Sequence, residues 1–284
     1  MYEKYGEMRV IDSPLAESSI VGVAIGLALN GMRPVAEIQF ADFIHPAFNQ
    51  IVNEAAKFRY RSNGAYGVPL VIRSPYGGGV HGGLYHSQCV EAFFAHVPGL
   101  KVIAPSTPYD TKGLLKAAIR DDDPVLFFEH KKTYRLIRGD IPDGDYTIPI
   151  GQAKVVREGN HLTIISYGLS LYYALEAAET VAKQGIDVEV IDLRTLRPLD
   201  KDTVLESVKK TSKVLISYED NKFCGYGAEI SAIIAEEAFE YLDAPIMRLA
   251  GPEVPAVPYA EPLEAWFMPS PEKTVKAIQE LAAY

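Results

Sequence analysis

Short apolar runs alternate with segments of helical period along almost the whole chain, and this rhythm dictates its architecture. In the first half, Arg33–Phe40, Val68–Arg73, Leu100–Pro105 and Val125–Glu129 read as strands. Between them, His45–Arg59, Ser87–Ala95 and Thr107–Arg120 read as helices, the first carrying Ala47, Phe48, Ile51, Val52, Ala55 and Phe58 at helical spacing. The second half repeats the pattern with strands at His161–Ser166, Asp187–Asp192, Lys213–Ser217 and Pro245–Leu249. Its helices fall at Ser170–Gln184, Asp200–Lys209, Gly227–Leu242 and Pro271–Ala283. Strands that are apolar on both faces and separated by helices form parallel sheets covered on both sides. The turn-rich, charged segment Tyr134–Asp145 interrupts the rhythm and places a linker at about residues 131–160. The expectation is an α/β protein of two doubly wound domains, residues 1–150 and 160–284.

One helix contains an unexpected charge. Ser13 reads as an N-cap and Pro14 as the first helical residue, and the run continues through Ile20–Leu29 to a left-handed stop at Asn30-Gly31. A helix that is apolar all round is buried, yet Glu17 lies in its first turns. A buried carboxylate needs a partner, a cofactor or a shared proton. Backbone N–H groups at the helix start are the structural alternative.

The chain's 284 residues, 48% of them hydrophobic, suffice for two cores. A net charge of −9 argues against a nucleic-acid partner and is compatible with docking on a basic one. The longest apolar run, Ile20–Met32, is too short to span a bilayer, and no membrane association is expected. The N-terminus shows no signal-peptide pattern. Cys89 and Cys224 read as reduced thiols of a cytoplasmic protein.

Two histidines frame a glycine-rich loop. Gly77-Gly78-Gly79 follows a strand, and His81 and His86 flank Gly82-Gly83-Leu84-Tyr85. His86 is expected at the start of the next helix, where the dipole favours neutral imidazole. A dinucleotide reading lacks its acidic residue on a second strand. Neither a phosphate-binding G-x-x-x-x-G-K-[ST] loop nor a G-x-S-x-G elbow occurs, which argues against a hydrolase triad. Asp121-Asp122-Asp123 is either a cation site of oxygen ligands or an exposed acidic turn.

Taken in order, Ile11–Glu17, Ala36–Phe43, Ile72–Pro75, His81–Gln88, Pro98–Val102 and Val190–Asp200 resemble one family across essentially the whole chain. It is the beta subunit of the thiamine-diphosphate-dependent decarboxylase component of 2-oxoacid dehydrogenase complexes. The form His-Gly-Gly-Leu-Tyr-His-Ser-Gln resembles branched-chain members more than pyruvate members. The resemblance implies an N-terminal pyrimidine-binding domain and a C-terminal transketolase-like domain. It gives Glu17 a partner, the aminopyrimidine ring of thiamine diphosphate, with which it shares a proton. Leu15, Gln39 and Phe43 then line the pyrimidine pocket, with Phe43 standing where many members have tyrosine. His86 matches the active-site histidine, a proton donor or a positioner of the lipoyl acceptor. A structural potassium site is implied at Asp121 and Asp123 with Ala118, Val68, Leu70 and Val71. Asp123 replaces an asparagine common there.

The G-D-G…N motif for magnesium and diphosphate is missing, and the family carries it on a separate alpha subunit. The implied assembly is an alpha-two beta-two heterotetramer with a second beta subunit, docked on a lipoyl acyltransferase core in a prokaryotic cytoplasm. The implied reaction is oxidative decarboxylation of a branched-chain 2-oxo acid or pyruvate, with acyl transfer to lipoyl groups. An acetoin dehydrogenase beta subunit shares nearly all these motifs. Family members also carry about forty further N-terminal residues, roughly a two-element βα start. Relative to them the chain reads as truncated, with a first inner strand missing and a sheet edge left open. That feature suggests a second alternative, a non-catalytic assembly subunit.

Overall fold

The strongest apolar runs pair side by side because their faces have nowhere else to be dry. A computed structural model describes residues 1–284. In the first half, β1 (Val35–Glu37), β2 (Val71–Tyr76), β3 (Lys101–Ile103) and β4 (Val125–His130) form a parallel sheet in the order β1-β2-β4-β3. Every residue of β4 is buried, as the centre of a sheet covered on both faces requires. The helices α1 (Glu17–Leu29), α2 (Glu91–Ala95) and α3 (Pro108–Arg120) cover this sheet.

The second half builds a sheet from β5 (Lys154–Arg157), β6 (Leu162–Ser166), β7 (Val188–Asp192), β9 (Val214–Asn221) and β10 (Met247–Gly251), ordered β10-β9-β6-β7-β5. All its pairs are parallel except β5 with β7. The helices α4 (Leu169–Ala182), α5 (Lys201–Thr211), α6 (Tyr226–Glu237), α7 (Glu261–Phe267) and α8 (Pro271–Ala282) complete this unit. The strand β8 (Thr195–Arg197) lies beyond the linker in sequence, yet it pairs antiparallel with β3 at the edge of the first sheet. One hydrophobic cluster runs through both halves, joining Ile72 and Phe128 to Ile165, Ile216 and Tyr218. No helix is long and apolar enough to cross a membrane.

Several local expectations are corrected. Helix α1 begins at Glu17 with Ala16 at the cap and no side-chain cap, so Ser13 and Pro14 lie outside it. The Ser13 hydroxyl instead donates to the Pro14 carbonyl at 3.1 Å. The stop behaves as expected, with Gly31 at φ +87°. Helix α1 is not buried all round, for Val23 is 58% exposed. The segment His45–Arg59 is one unbroken helical run, as expected, but of mixed pitch: a 3₁₀ turn at His45–Ala47, α geometry at 48–49, a π turn at Gln50–Glu54, a 3₁₀ turn at Ala55–Lys57 and an α turn from Phe58. Its helical period survives because these turns keep nearly the same face inward. Helix α2 starts four residues later than expected, so His86 caps a 3₁₀ turn at Gly83–Tyr85 and does not head a helix. Strand β1 pairs with β2 on one side and forms the edge of the first sheet.

Candidate active site

Parallel sheets place ligand sites beyond the carboxyl ends of their strands. Here the chain leaving β1 carries Gln39, Phe40, Asp42 and Phe43, the loop after β2 carries His81 and His86, and β4 runs out into His130 and Lys131. Three aromatic rings meet at this edge. His86 stands edge-to-face with Phe40 at 4.8 Å and with Phe43 at 5.5 Å, and the two phenylalanines meet at 5.9 Å. Edge-to-face pairs each contribute about 0.5–1.5 kcal/mol beyond burial. The His86 residue is exposed, Phe43 half-buried and Gln39 exposed.

The backbone next to His86 is held by a buried carboxylate. Asp42 Oδ1 accepts the N–H groups of Ser87 at 3.1 Å and Gln88 at 3.0 Å. Residues 42 and 87 are far apart in sequence, and no local pattern announces this contact.

The glycine-rich loop is bound from the second domain. Glu219, on β9, accepts the Gly78 N–H and sits 2.7 Å from His130 Nε2. Burial alone would raise this carboxyl, but His130 and the Gly78 amide hold it below the ordinary glutamate range. Glu264, on α7, accepts the N–H groups of Gly79 at 2.8 Å and His81 at 3.2 Å, and its other oxygen lies 2.7 Å from His81 Nδ1. These backbone donors are therefore satisfied by carboxylates, which leaves them unavailable to a phosphate. The glycine at position 77 is required by contact as well as by conformation: φ is +86°, and a Cβ would lie 2.2 Å from His130 Nε2.

Glu17 is the half-buried first residue of α1, and Leu15 is 82% exposed. The expected full burial of Glu17 is thus not met within the single chain. Its helix packs against β1 and against the turn at His45–Ala47 that follows the aromatic segment. The structure brings Phe43 and His86 into contact and leaves Glu17 and Leu15 on an open face. An aromatic wall and a carboxylate at a helix start suit a flat heteroaromatic ring with a hydrogen-bonding edge.

The acidic turn is already neutralised by cations. Asp121 receives Lys101 Nζ at 2.6 Å, Asp123 pairs with Arg59, and Asp122 pairs with Arg33 at 2.5 Å. The carbonyls of Val68, Leu70 and Ala118 accept backbone N–H groups of Leu70, Val125 and Asp121. Both expected side-chain ligands, Asp121 and Asp123, are thus already paired with cations. No group of three or more His, Cys, Asp or Glu side chains converges to hold a metal ion. Both cysteines are free.

Sequence comparison gives this geometry its setting. Residues 1–137 match the transketolase pyrimidine binding domain, and residues 151–274 match the transketolase C-terminal domain. The 2-oxoisovalerate dehydrogenase subunit beta of Bacillus subtilis is 60% identical over 284 residues, spanning 100% of this chain and 87% of its own length. The acetoin:2,6-dichlorophenolindophenol oxidoreductase subunit beta of Cupriavidus necator is 49% identical, covering 99% of this chain and 82% of its own. The pyruvate dehydrogenase E1 component subunit beta of Acholeplasma laidlawii is 46% identical, covering 99% and 86%. Among solved structures, a split gene transketolase described as an inactive beta4 tetramer superposes with a TM-score of 0.75 at 25% identity, covering 94% of this chain and 82% of that one.

Proposed function

This chain belongs to the family of beta subunits of thiamine-dependent 2-oxoacid dehydrogenases, and from that premise we propose that it supplies the pyrimidine-binding half of a branched-chain 2-oxoacid decarboxylase. The observation that carries this reading is the Phe40–Phe43–His86 wall at the carboxyl edge of the first sheet, joined to 60% identity with a 2-oxoisovalerate dehydrogenase beta subunit. Bound thiamine diphosphate supplies the carbanion chemistry of decarboxylation, and the protein supplies orientation and protonation. Glu17 holds a proton against the pyrimidine edge. Leu15, Gln39 and Phe43 line the ring. His86 delivers a proton or positions the lipoyl disulfide that receives the acyl group.

The diphosphate and its magnesium belong on an alpha subunit, because the G-D-G…N motif is missing here and the Gly78, Gly79 and His81 amides are taken by Glu219 and Glu264. The exposed apolar side chains Met8, Ile11, Leu15 and Val23 near Glu17 are a surface suited to that partner. The complete assembly is an alpha-two beta-two heterotetramer working in the cytoplasm on a lipoyl acyltransferase core. Potassium at residues 68–71, 118 and 121–123 is a structural element of the reading and enters no chemical step. We place the domain division at residues 1–150 and 160–284, on either side of the linker at about 131–160.

The test is co-expression with an alpha subunit and thiamine-dependent turnover of branched-chain 2-oxo acids, pyruvate and acetoin. Preference for the branched-chain acids is expected. Preference for acetoin would transfer the chain to the relatives represented by the Cupriavidus necator protein. Turnover of none, despite complex formation, would favour an assembly role. Glu17→Gln should abolish activity and leave assembly intact. Retained activity within threefold of wild type, roughly 0.65 kcal/mol of barrier, would reject the proton-holding role.

A further inference from the structure

Three buried polar atoms lie behind the His86 wall without a hydrogen-bond partner in the chain: Asp42 Oδ2, Ser87 Oγ and Lys131 Nζ. They belong to one locality. Asp42 already grips the Ser87 and Gln88 amides through its other oxygen. Lys131 Nζ lies 5.3 Å from the centre of the Phe40 ring, and Phe40 in turn meets His86. A buried ammonium without a counter-charge is costly, and three acidic groups surround this one. Glu219 has one oxygen on the Gly78 amide and the other on His130. The Cys89 thiol is pushed well above its ordinary range by burial and stays neutral. Asp42 alone faces Lys131 with a carboxylate oxygen unclaimed.

We propose that Asp42 and Lys131 form a buried, water-linked ion pair that acts as a positioning clamp for His86. The logic is geometric. Asp42 sits in the turn between Phe40 and Phe43, the two rings against His86, and binds the peptide groups just after His86. One carboxylate thus fixes both the wall and the backbone that carries the imidazole. Lys131 places a cation beside the unclaimed oxygen of that carboxylate, and hydrogen bonds from amides to a carboxylate are of the stronger, charge-assisted kind. A single water with Asp42 Oδ2, Ser87 Oγ and Lys131 Nζ as neighbours has the partners a buried water requires. This clamp rests on the reading of His86 as a functional residue only for its purpose, not for its existence.

Hydrogen exchange on the full chain reads the clamp without cofactor. Asp42→Ala and Lys131→Met should each speed exchange at the Ser87 and Gln88 amides about tenfold or more, the loss of charge-assisted hydrogen bonds there. The double variant should be no faster than the worse single, and Lys131→Arg should restore protection. Unchanged exchange at these amides in Lys131→Met would overturn the pair. So would an even rise across the whole first sheet, which would mark general loosening. In the assembled enzyme, the same variants should lower kcat for acyl transfer and leave thiamine diphosphate affinity unchanged. If exchange responds but turnover does not, the positioning role fails. If His86→Ala is itself silent, the functional reading fails while the exchange result stands.

Discussion

His86 is exposed, but its ring is held on two sides by phenylalanine edges and its chain is pinned just beyond by Asp42. An imidazole so held can meet a large incoming group, such as a lipoyl arm, at little further entropic cost. His86→Ala is therefore expected to lower acyl transfer about a hundredfold, the usual scale for a positioned acid–base group. Thiamine diphosphate affinity, followed by calorimetry on the assembled enzyme, should stay within a factor of two or so of wild type. A matching loss of cofactor affinity would reassign His86 to binding. Residues 17 and 86 were legible in the sequence because each lies in a run of characteristic order. Asp42 lies within a third such run, Ala36–Phe43, but its contact is hidden there, because it reaches amides 45 and 46 positions away. Lys131 gave no signal either, since the burial of a surface-type residue is a tertiary fact.

At the level of elements, the buried parallel strands were readable within a few residues because their apolar runs are continuous. The two antiparallel edges, β5 and β8, were not. Each is only three or four residues long and carries no period of its own. The helix boundaries depend on caps. Thr107 caps α3, accepting the Asp110 N–H at 3.1 Å, and the expected start was met there. For α1 no side-chain cap forms, and the expected Ser13 cap failed. Thr107→Ala should lower unfolding free energy by about 1 kcal/mol, checked by urea titration. A change below a few tenths would show that Pro108 at the first helical position suffices.

Across the whole molecule, the seam between the two sheets is lined with carboxyl groups. Tyr167 donates to Glu91 at 2.8 Å, Ser106 to Asp192 at 3.0 Å, and Arg194 reaches Asp110 at 2.9 Å. Burial, with Asp220 nearby, pushes Glu91 up to about 8, and burial lifts Asp192 to about 7. Both are raised above their unfolded values, so the folded chain holds protons that the unfolded chain has released. Their contribution is fully present below the ordinary carboxyl range and is lost as pH climbs toward 8, by at most about 1.4 kcal/mol per pH unit for each proton. Glu219, held low, acts in the opposite sense and loses its contribution only in acid. Stability against thermal unfolding should therefore fall from pH 5 to pH 8, and Glu91→Gln should flatten part of that slope. A slope unaltered by this substitution would remove Glu91 from the account. The same seam carries β8, the three-residue strand that the later half of the chain lends to the sheet of the earlier half. Because of that loan, the halves are not interchangeable cassettes: recombination at the connector would transplant a border of one unit along with the other. Evolution can swap such a tail only together with a matching recipient edge.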